Sequence, residues 1–237
     1  MPLERLGLVK TSLVDFPGKV AATIFTYGCN LRCPYCHNAN LVVGGTPEDF
    51  VDRGEVLAFL RKRARVLDGV AITGGEPLIH ADLPELVAAL RELNLQIKVD
   101  TNGLLPDRLD SLDADYIAMD LKTAPEQYGR LGPVGAVATT AAERLHRSLS
   151  ILRGRRREGR GDYELRTTVA PGLVGEEDFR EMAELLQEGE RMVLAPYRGG
   201  TTLDPAYAET SPPTPDDMAR YAAILRESGA RVVVREA

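Results

Sequence analysis

The 237-residue sequence contains no tryptophan, and aromatic side chains make up only 5% of it. A nucleic-acid platform built on base stacking needs more of them, so that class is not expected. Excess positive charge is missing too: 29 Lys and Arg stand against 35 Asp and Glu, a formal charge of −6. This balance argues against a generally basic, phosphate-seeking surface. No apolar run approaches the length of a membrane span, and the charged start MPLERLGLVKTSLVDFPGK holds no signal-peptide core. A cytoplasmic location with no membrane attachment is the expectation. Cysteine is scarce as well: there are three, all within residues 29–36. A dispersed, even set would read as a disulfide framework. Three clustered thiols read as a metal or catalytic site in a reducing compartment.

What is present is an ordinary core-forming composition, 44% hydrophobic and 27% charged. Short β-rich runs recur at 20–27, 69–73, 96–100, 116–120, 163–169, 191–195 and 231–236. Helical patterns lie between them, at 54–67, 82–93, 139–153, 176–188 and 214–228, with a brief one at 106–112. Asp82 with Pro84 and Glu85, and Thr214 with Pro215, Asp216 and Asp217, read as helix starts with an N-cap, an early proline and an acidic first turn. Strands alternating with helices predict parallel βαβ units, either an open doubly wound sheet or a complete or partial barrel. In both, chemistry collects at the C-terminal ends of strands. The sequence obeys that rule. The runs lead into the cysteine loop, Thr73-Gly74-Gly75-Glu76-Pro77, Asp100-Thr101-Asn102-Gly103, Asp120-Leu121-Lys122 and Pro196-Tyr197-Arg198. The arginine-rich stretch 153–160 reads as a solvated loop between helix and strand, the usual fate of a charge run.

The cysteines narrow the chemistry. Structural zinc would need a fourth ligand, and His37 directly follows Cys36; adjacent residues rarely aim at one small ion. A disulfide with one thiol left over would be an odd staple. A [4Fe–4S] cube fits better, because each sulfur can take a different corner. Such clusters ordinarily have four cysteine ligands, so three leave one iron open to a non-protein ligand.

The CxxxCxxC spacing of Cys29, Cys33 and Cys36, with Tyr35 before the last cysteine, resembles the signature of the radical S-adenosylmethionine superfamily. Gly74-Gly75-Glu76-Pro77 resembles that family's GGEP element. TSLVDFPGK (11–19), FTYGCNLRCPYCHN (25–38), VAITGGEPL (70–78), VDTNG (99–103), YIAMDLK (116–122) and YELRTTV (163–169) are similar to activating enzymes of glycyl radical enzymes. They resemble most the activase of anaerobic ribonucleoside-triphosphate reductase, with that of pyruvate formate-lyase a near relative. The likeness covers residues about 5–200.

The resemblance implies a partial TIM barrel, (βα)6. It would form one domain over 1–237, with an N-terminal extension to residue 19, a barrel over 20–200 and a C-terminal helix and strand beyond. It implies a [4Fe–4S] cluster on Cys29, Cys33 and Cys36, with S-adenosylmethionine at the open iron. Reductive cleavage would give a 5′-deoxyadenosyl radical that takes hydrogen from a glycine of a partner glycyl radical enzyme. Flavodoxin or ferredoxin would donate the electron, and neither nucleic acid nor membrane would take part. Tyr35 would lie against the adenine, and Gly74, Gly75 and Glu76 would meet the methionine amino group. Asp100, Asn102, Asp120 and Lys122 would supply polar contacts to the cofactor. Arg166, in a strand expected to be buried, would join that network; an arginine on the outside of the barrel is the alternative. Arg198 stands where pyruvate formate-lyase activases carry a histidine that contacts the cofactor. Asp15, in the turn Asp15-Phe16-Pro17-Gly18, would lie near the active-site mouth. His37 reads as a loop hydrogen bond, and His80 and His146 as structural or exposed. A radical enzyme with a small-molecule substrate, such as a deazaguanine-forming synthase, is the second reading. A non-catalytic zinc module or an iron–sulfur electron carrier is remote.

Overall fold

The computed structural model describes residues 2–43, 48–132 and 140–235. The expected helix start at 139 and strand end at 236 lie outside them. In chain order the elements are β1 (Arg5–Ser12), β2 (Ala21–Thr26), α1 (Ala39–Val42), β3 (Val51–Asp52), α2 (Arg53–Arg63), β4 (Gly69–Gly74), α3 (Leu83–Arg91), β5 (Gln96–Thr101), α4 (Pro106–Asp110), β6 (Tyr116–Asp120), α5 (Ala141–Arg157), β7 (Asp162–Val169), α6 (Glu176–Leu185), β8 (Arg191–Pro196), α7 (Pro215–Arg226) and β9 (Arg231–Val234). One sheet joins the strands in the order β3-β1-β2-β4-β5-β6-β7-β8-β9. From β2 to β9 every pairing is parallel. The sheet does not close on itself: its two ends are β3 and β9. Six βα units therefore wind into a partial TIM barrel, as the family resemblance implies.

Strand alternation divides the two faces. Val70 and Ile72, Ile97 and Val99, Ile117 and Met119, and Met192 and Leu194 join the apolar core beneath the helices. The helices answer with matching stripes: α3 buries Leu83, Leu86, Val87 and Leu90, the spacing of one helical face. Each such side chain contributes about 1.5–3 kcal/mol on burial. The alternate strand positions carry Lys98, Asp100, Asp120, Glu164 and Arg166, so the concave face is charged. No described helix is long and apolar enough to cross a membrane.

Local expectations are filled in or changed at three places. Residues 5–12, within the expected N-terminal extension, form a strand antiparallel to β2, with Gly7 opposite Phe25 and Val9 opposite Thr23. It covers the edge that β2 would otherwise expose. Asp82 does not cap α3 with its side chain; Oδ2 instead accepts from the Leu3 amide at 2.8 Å and Arg53 Nη1 at 3.3 Å. Thr214 does form the cap, exchanging bonds with Asp217 at 3.1 Å each way. The arginine run divides: residues 153–157 are the end of α5, with Arg153 and Arg155 drawn inward, while 156–160 are exposed as expected. Arg155, 4% exposed, donates to the carbonyls of Leu112 at 2.7 Å, Ala114 at 3.0 Å and Arg160 at 3.1 Å. Arg153 pairs with Glu190 at 2.8 Å. Cations suit a helix C-terminus, where carbonyls are unpaired.

Candidate functional site

Parallel strands deliver their C-terminal ends to one face. β2 runs into Gly28, whose φ of +77° favours glycine, and then into the cysteine loop. That loop is held from within and without. Arg32 Nη1 donates to the carbonyls of Cys29 and Leu31, both at 2.8 Å, and the Cys36 amide bonds the Cys33 carbonyl at 3.0 Å. From outside, the Arg32 amide reaches the Leu131 carbonyl at 2.9 Å. The amides of Leu203 and Asp204 bond the carbonyls of Cys36 and Pro34, also at 2.9 Å each.

The end of β4 is laced to the same loop. The amide of Gly75 bonds the Thr26 carbonyl, and that of Glu76 the Gly28 carbonyl, both at 2.9 Å. Gly74 has φ +113°, and a Cβ on Gly75 would collide with the Gly28 carbonyl oxygen. Both glycines are therefore required by the backbone.

One cavity gathers Cys29, Cys33, Cys36 and Tyr35 with Gly74, Gly75 and Glu76, and with Asp100, Asn102, Asp120, Lys122 and Arg166. Twelve of the thirteen residues expected at the site meet there. Glu76 is 1% exposed. Its Oε1 accepts from Thr101 Oγ1 at 2.8 Å and the Leu78 amide at 3.1 Å; Oε2 accepts from the Asn102 amide at 2.7 Å. Burial still prevails over these donors and pushes the carboxyl up to about 7. Asn102 Nδ2 donates to Asn30 Oδ1 at 2.6 Å, which ties this loop back to the cysteines.

The far wall is a row of alternating charge. Arg166 Nη1 meets Asp100 Oδ2 at 3.1 Å and Arg166 Nε meets Asp120 Oδ1 at 2.9 Å. Asp120 Oδ2 meets Lys122 Nζ at 3.1 Å. Burial alone would push Asp120 up, but the Arg166 and Lys122 charges outweigh it and hold the carboxyl down at about 2. Arg166 thus lies within the concave face; the alternative of an arginine on the outside does not hold.

Arg198, the thirteenth, is exposed and does not line the cavity. Its neighbour Tyr197 is buried instead, stacked on His37 with centroids 5.6 Å apart. His37 Nδ1 lies 3.2 Å from the Thr201 carbonyl, a loop contact. His80 is buried against the Tyr27 carbonyl at 2.7 Å, and His146 bonds its own helix. Asp15 accepts from Thr23 Oγ1 at 2.6 Å, and the neighbouring Phe16 ring packs near Tyr116 at 6.1 Å. This turn sits where the parallel strands begin, at the other end of the barrel from the cysteine loop. Thr101 and Asn38, whose Nδ2 donates to the Gly74 carbonyl at 3.1 Å, lie in the stretches VDTNG and FTYGCNLRCPYCHN but carried no separate expectation. Their partners are 25 and 36 residues away, so the local pattern does not show what they hold.

The residues suit a cluster and a zwitterionic ligand. Among the described residues no three His, Cys, Asp or Glu side chains converge as ligands of one metal ion. The three thiols instead border one cavity from separate positions on the loop. Burial raises Cys29 to about 12 and Cys33 to about 11, so ligation must displace their protons. The Tyr35 hydroxyl is buried with no partner on the protein. The carboxylate of Glu76 and the ammonium of Lys122 both line this cavity.

The model of the Radical SAM superfamily matches residues 23–186. Two curated proteins of Methanocaldococcus jannaschii, each named "Putative glycyl-radical enzyme activating enzyme", are similar to the chain. One is 26% identical over 97% of this chain and 94% of its own length; the other is 29% identical over 74% and 65%. A 7-carboxy-7-deazaguanine synthase of Methanopyrus kandleri is 34% identical over 45% of the chain and 51% of its own length. In fold the chain is similar to TYW1 with a lysine-pyruvate adduct bound (TM-score 0.60, 18% identity, 87% of this chain and 73% of that one). It is also similar to QueE from Escherichia coli (0.52, 17%, 100% and 94%).

Proposed function

We propose that this chain, which belongs to the radical SAM superfamily, is an activating enzyme that takes a hydrogen atom from a glycine of a partner glycyl radical enzyme. Members of the superfamily bind a [4Fe–4S] cluster and S-adenosylmethionine, and Cys29, Cys33 and Cys36 are the ligands available for the cluster. The observation that carries the finer reading is the similarity to the first activating-enzyme relative, which extends over nearly the whole of both chains. Anaerobic ribonucleotide reductase is the client this reading favours, with flavodoxin or ferredoxin as the electron donor. The whole chain would act as one domain.

When bound, the cluster and S-adenosylmethionine supply one-electron cleavage of a sulfonium and a carbon-centred hydrogen acceptor. This chain's residues do the holding. Glu76, anionic above about pH 7, would take the ligand's ammonium. Lys122 would take its carboxylate. Gly74 and Gly75 let the backbone at the end of β4 approach closely, since a side chain would strike Thr26 from the first and Gly28 from the second. Tyr35, buried beside the cysteines, would cover the adenine and keep water out. Asp100, Asn102, Asp120 and Arg166 would fix the remaining polar groups. Arg198, exposed and outside the cavity, is given no role in this reading. The open side of the partial barrel leaves room for a peptide loop of the client.

The second reading, a small-molecule substrate, draws on the 34% identity to the deazaguanine synthase over less than half of the chain. The deciding experiment uses protein reconstituted anaerobically with iron and sulfide, then reduced. An electron paramagnetic resonance signal of a reduced [4Fe–4S] cluster that changes with S-adenosylmethionine supports the cofactor site. A glycyl radical doublet that appears only when a candidate client is added supports the activase. Turnover of a purine-type precursor without any protein partner would overturn it.

A further inference from the structure

Beneath the cavity lies a charged side chain that the binding scheme leaves unused. Lys98 is in the middle of β5, 2% exposed, and does not line the cavity. Its ammonium bonds Asp100 Oδ1, while the other oxygen of that carboxylate is the one that meets Arg166. Ala71, opposite Lys98 on β4, leaves space for the stem; on β6 Tyr116 stands opposite Lys98 and the fully buried Ala118 opposite Asp100.

A lysine is a poor choice for filling that space. A buried ion pair gains little over apolar residues of the same volume, because two charges must leave water. Methionine or leucine would occupy the gap without that cost. What only the lysine provides is a charge and a direction. Lys98, Arg166 and Lys122 supply three cations to the row, and Asp100 and Asp120 two anions, so the row carries one surplus positive charge. Glu164 on β7 is also buried nearby, but Arg191 Nε meets it at 3.0 Å, so this pair leaves the surplus unchanged. Without Lys98 the row would be neutral. Asp100 would also be free to swing away from Arg166, which in turn orients Asp120 and Lys122.

We propose that Lys98 is a positioning residue for S-adenosylmethionine: pinned to one oxygen of Asp100, it sets the row Asp100–Arg166–Asp120–Lys122 and gives it the surplus charge that receives the ligand's carboxylate. The inference rests on reading the cavity as the cofactor site. Parent protein that holds its cluster but fails to bind S-adenosylmethionine would remove that reading before any variant is compared.

The test measures S-adenosylmethionine dissociation constants on reconstituted protein for the parent, Lys98→Met and Lys98→Arg. Iron content and thermal midpoint are measured alongside. Lys98→Met should keep its iron and its cooperative unfolding but bind about tenfold or more weakly, the usual scale for losing a residue behind a binding group. Lys98→Arg, which keeps the cation, should recover most of the affinity. Free methionine, which carries the carboxylate, should lose more affinity in Lys98→Met than 5′-deoxyadenosine, which does not. If Lys98→Met fails to fold, Lys98→Gln takes its place with the same expectation. Affinity within about twofold of the parent would overturn the proposal. An equal loss in Lys98→Arg, or a loss that only tracks the thermal midpoint, would also overturn it.

Discussion

The backbone amide of Asn102 donates to Glu76 Oε2 at 2.7 Å, so the loop after β5 holds the carboxylate presented by β4. Glu76 is therefore fixed before any ligand arrives, with the Thr101 hydroxyl and the Leu78 amide on its other oxygen. Replacing it with glutamine keeps the shape and removes the charge. Glu76→Gln should retain the cluster and weaken S-adenosylmethionine binding by about 1.5–3 kcal/mol, the range for a hydrogen bond to a charged group. Isothermal titration of the reconstituted protein measures it, and affinity equal to the parent would remove Glu76 from the ammonium site.

The pH dependence of the ligand-free protein carries the same carboxyl's signature. Its folded value, about 7, lies above the ordinary glutamate value of 4.5, so the folded state binds the proton more tightly than the unfolded chain. Stability from this group should fall as pH rises from 4.5 to 7, because ionising it in a buried site is unfavourable. Urea unfolding at a series of pH values should show a shallower slope in that window for Glu76→Gln. Asp120 has the opposite sign: its folded value of about 2 is below the ordinary 3.8. Its contribution is present above pH 3.8 and lost as pH falls through 2.

Arg166 stands between two carboxylates in a partly enclosed wall. Arg166→Met would leave Asp100 and Asp120 facing one another without it. The expected loss is about 3–5 kcal/mol of folding stability, typical for removing one partner of a buried ion pair. Chemical denaturation would detect it, and the double variant with Asp120→Asn should be less destabilised than the sum of the two.

Gly75→Ala tests the lacing of β4 to β2. The added methyl group meets the Gly28 carbonyl oxygen, next to Cys29. The strand end must move, and the cysteine loop with it. Iron incorporation should drop severely while Gly129→Ala, where a Cβ has open space, incorporates iron like the parent. Iron and sulfide analysis after reconstitution reads both.

The arginine run separates by burial. Arg155→Ala removes the donor shared by the Leu112, Ala114 and Arg160 carbonyls, and should destabilise the protein by about 2–4 kcal/mol, since each buried acceptor left alone costs about 1–3. Arg157→Ala, at an exposed position of the same helix, should change stability by less than about 0.5 kcal/mol. Thermal unfolding compares them.

The sequence pattern by itself determined the parallel βαβ class and the identity of its chemical face, while the choice of a partial barrel over an open doubly wound sheet came from the family resemblance and the strand order of the folded chain. Apolar runs alternating with amphipathic stretches demand parallel βαβ units, and polar turns after those runs must fall at one end of the sheet. The three cysteines needed no tertiary information, because eight residues of chain keep them together in any fold. Other features stayed hidden because they depend on partners distant in sequence. RLGLVKTS has no strong strand signature, and it becomes β1 by pairing with the edge of β2. Asp82 has the residue type of a cap, but the Leu3 amide and Arg53 claim its carboxylate. Arg155 looks like part of a solvated run until α5 is docked and three loop carbonyls surround its guanidinium. Lys98 reads as one polar residue in a strand. Only the sheet, setting β5 beside β6 and β6 beside β7, places its ammonium at the end of a charged row. Local pattern fixes elements and where they end; the pairing of buried charges is settled by register and burial, which exist only in the folded chain.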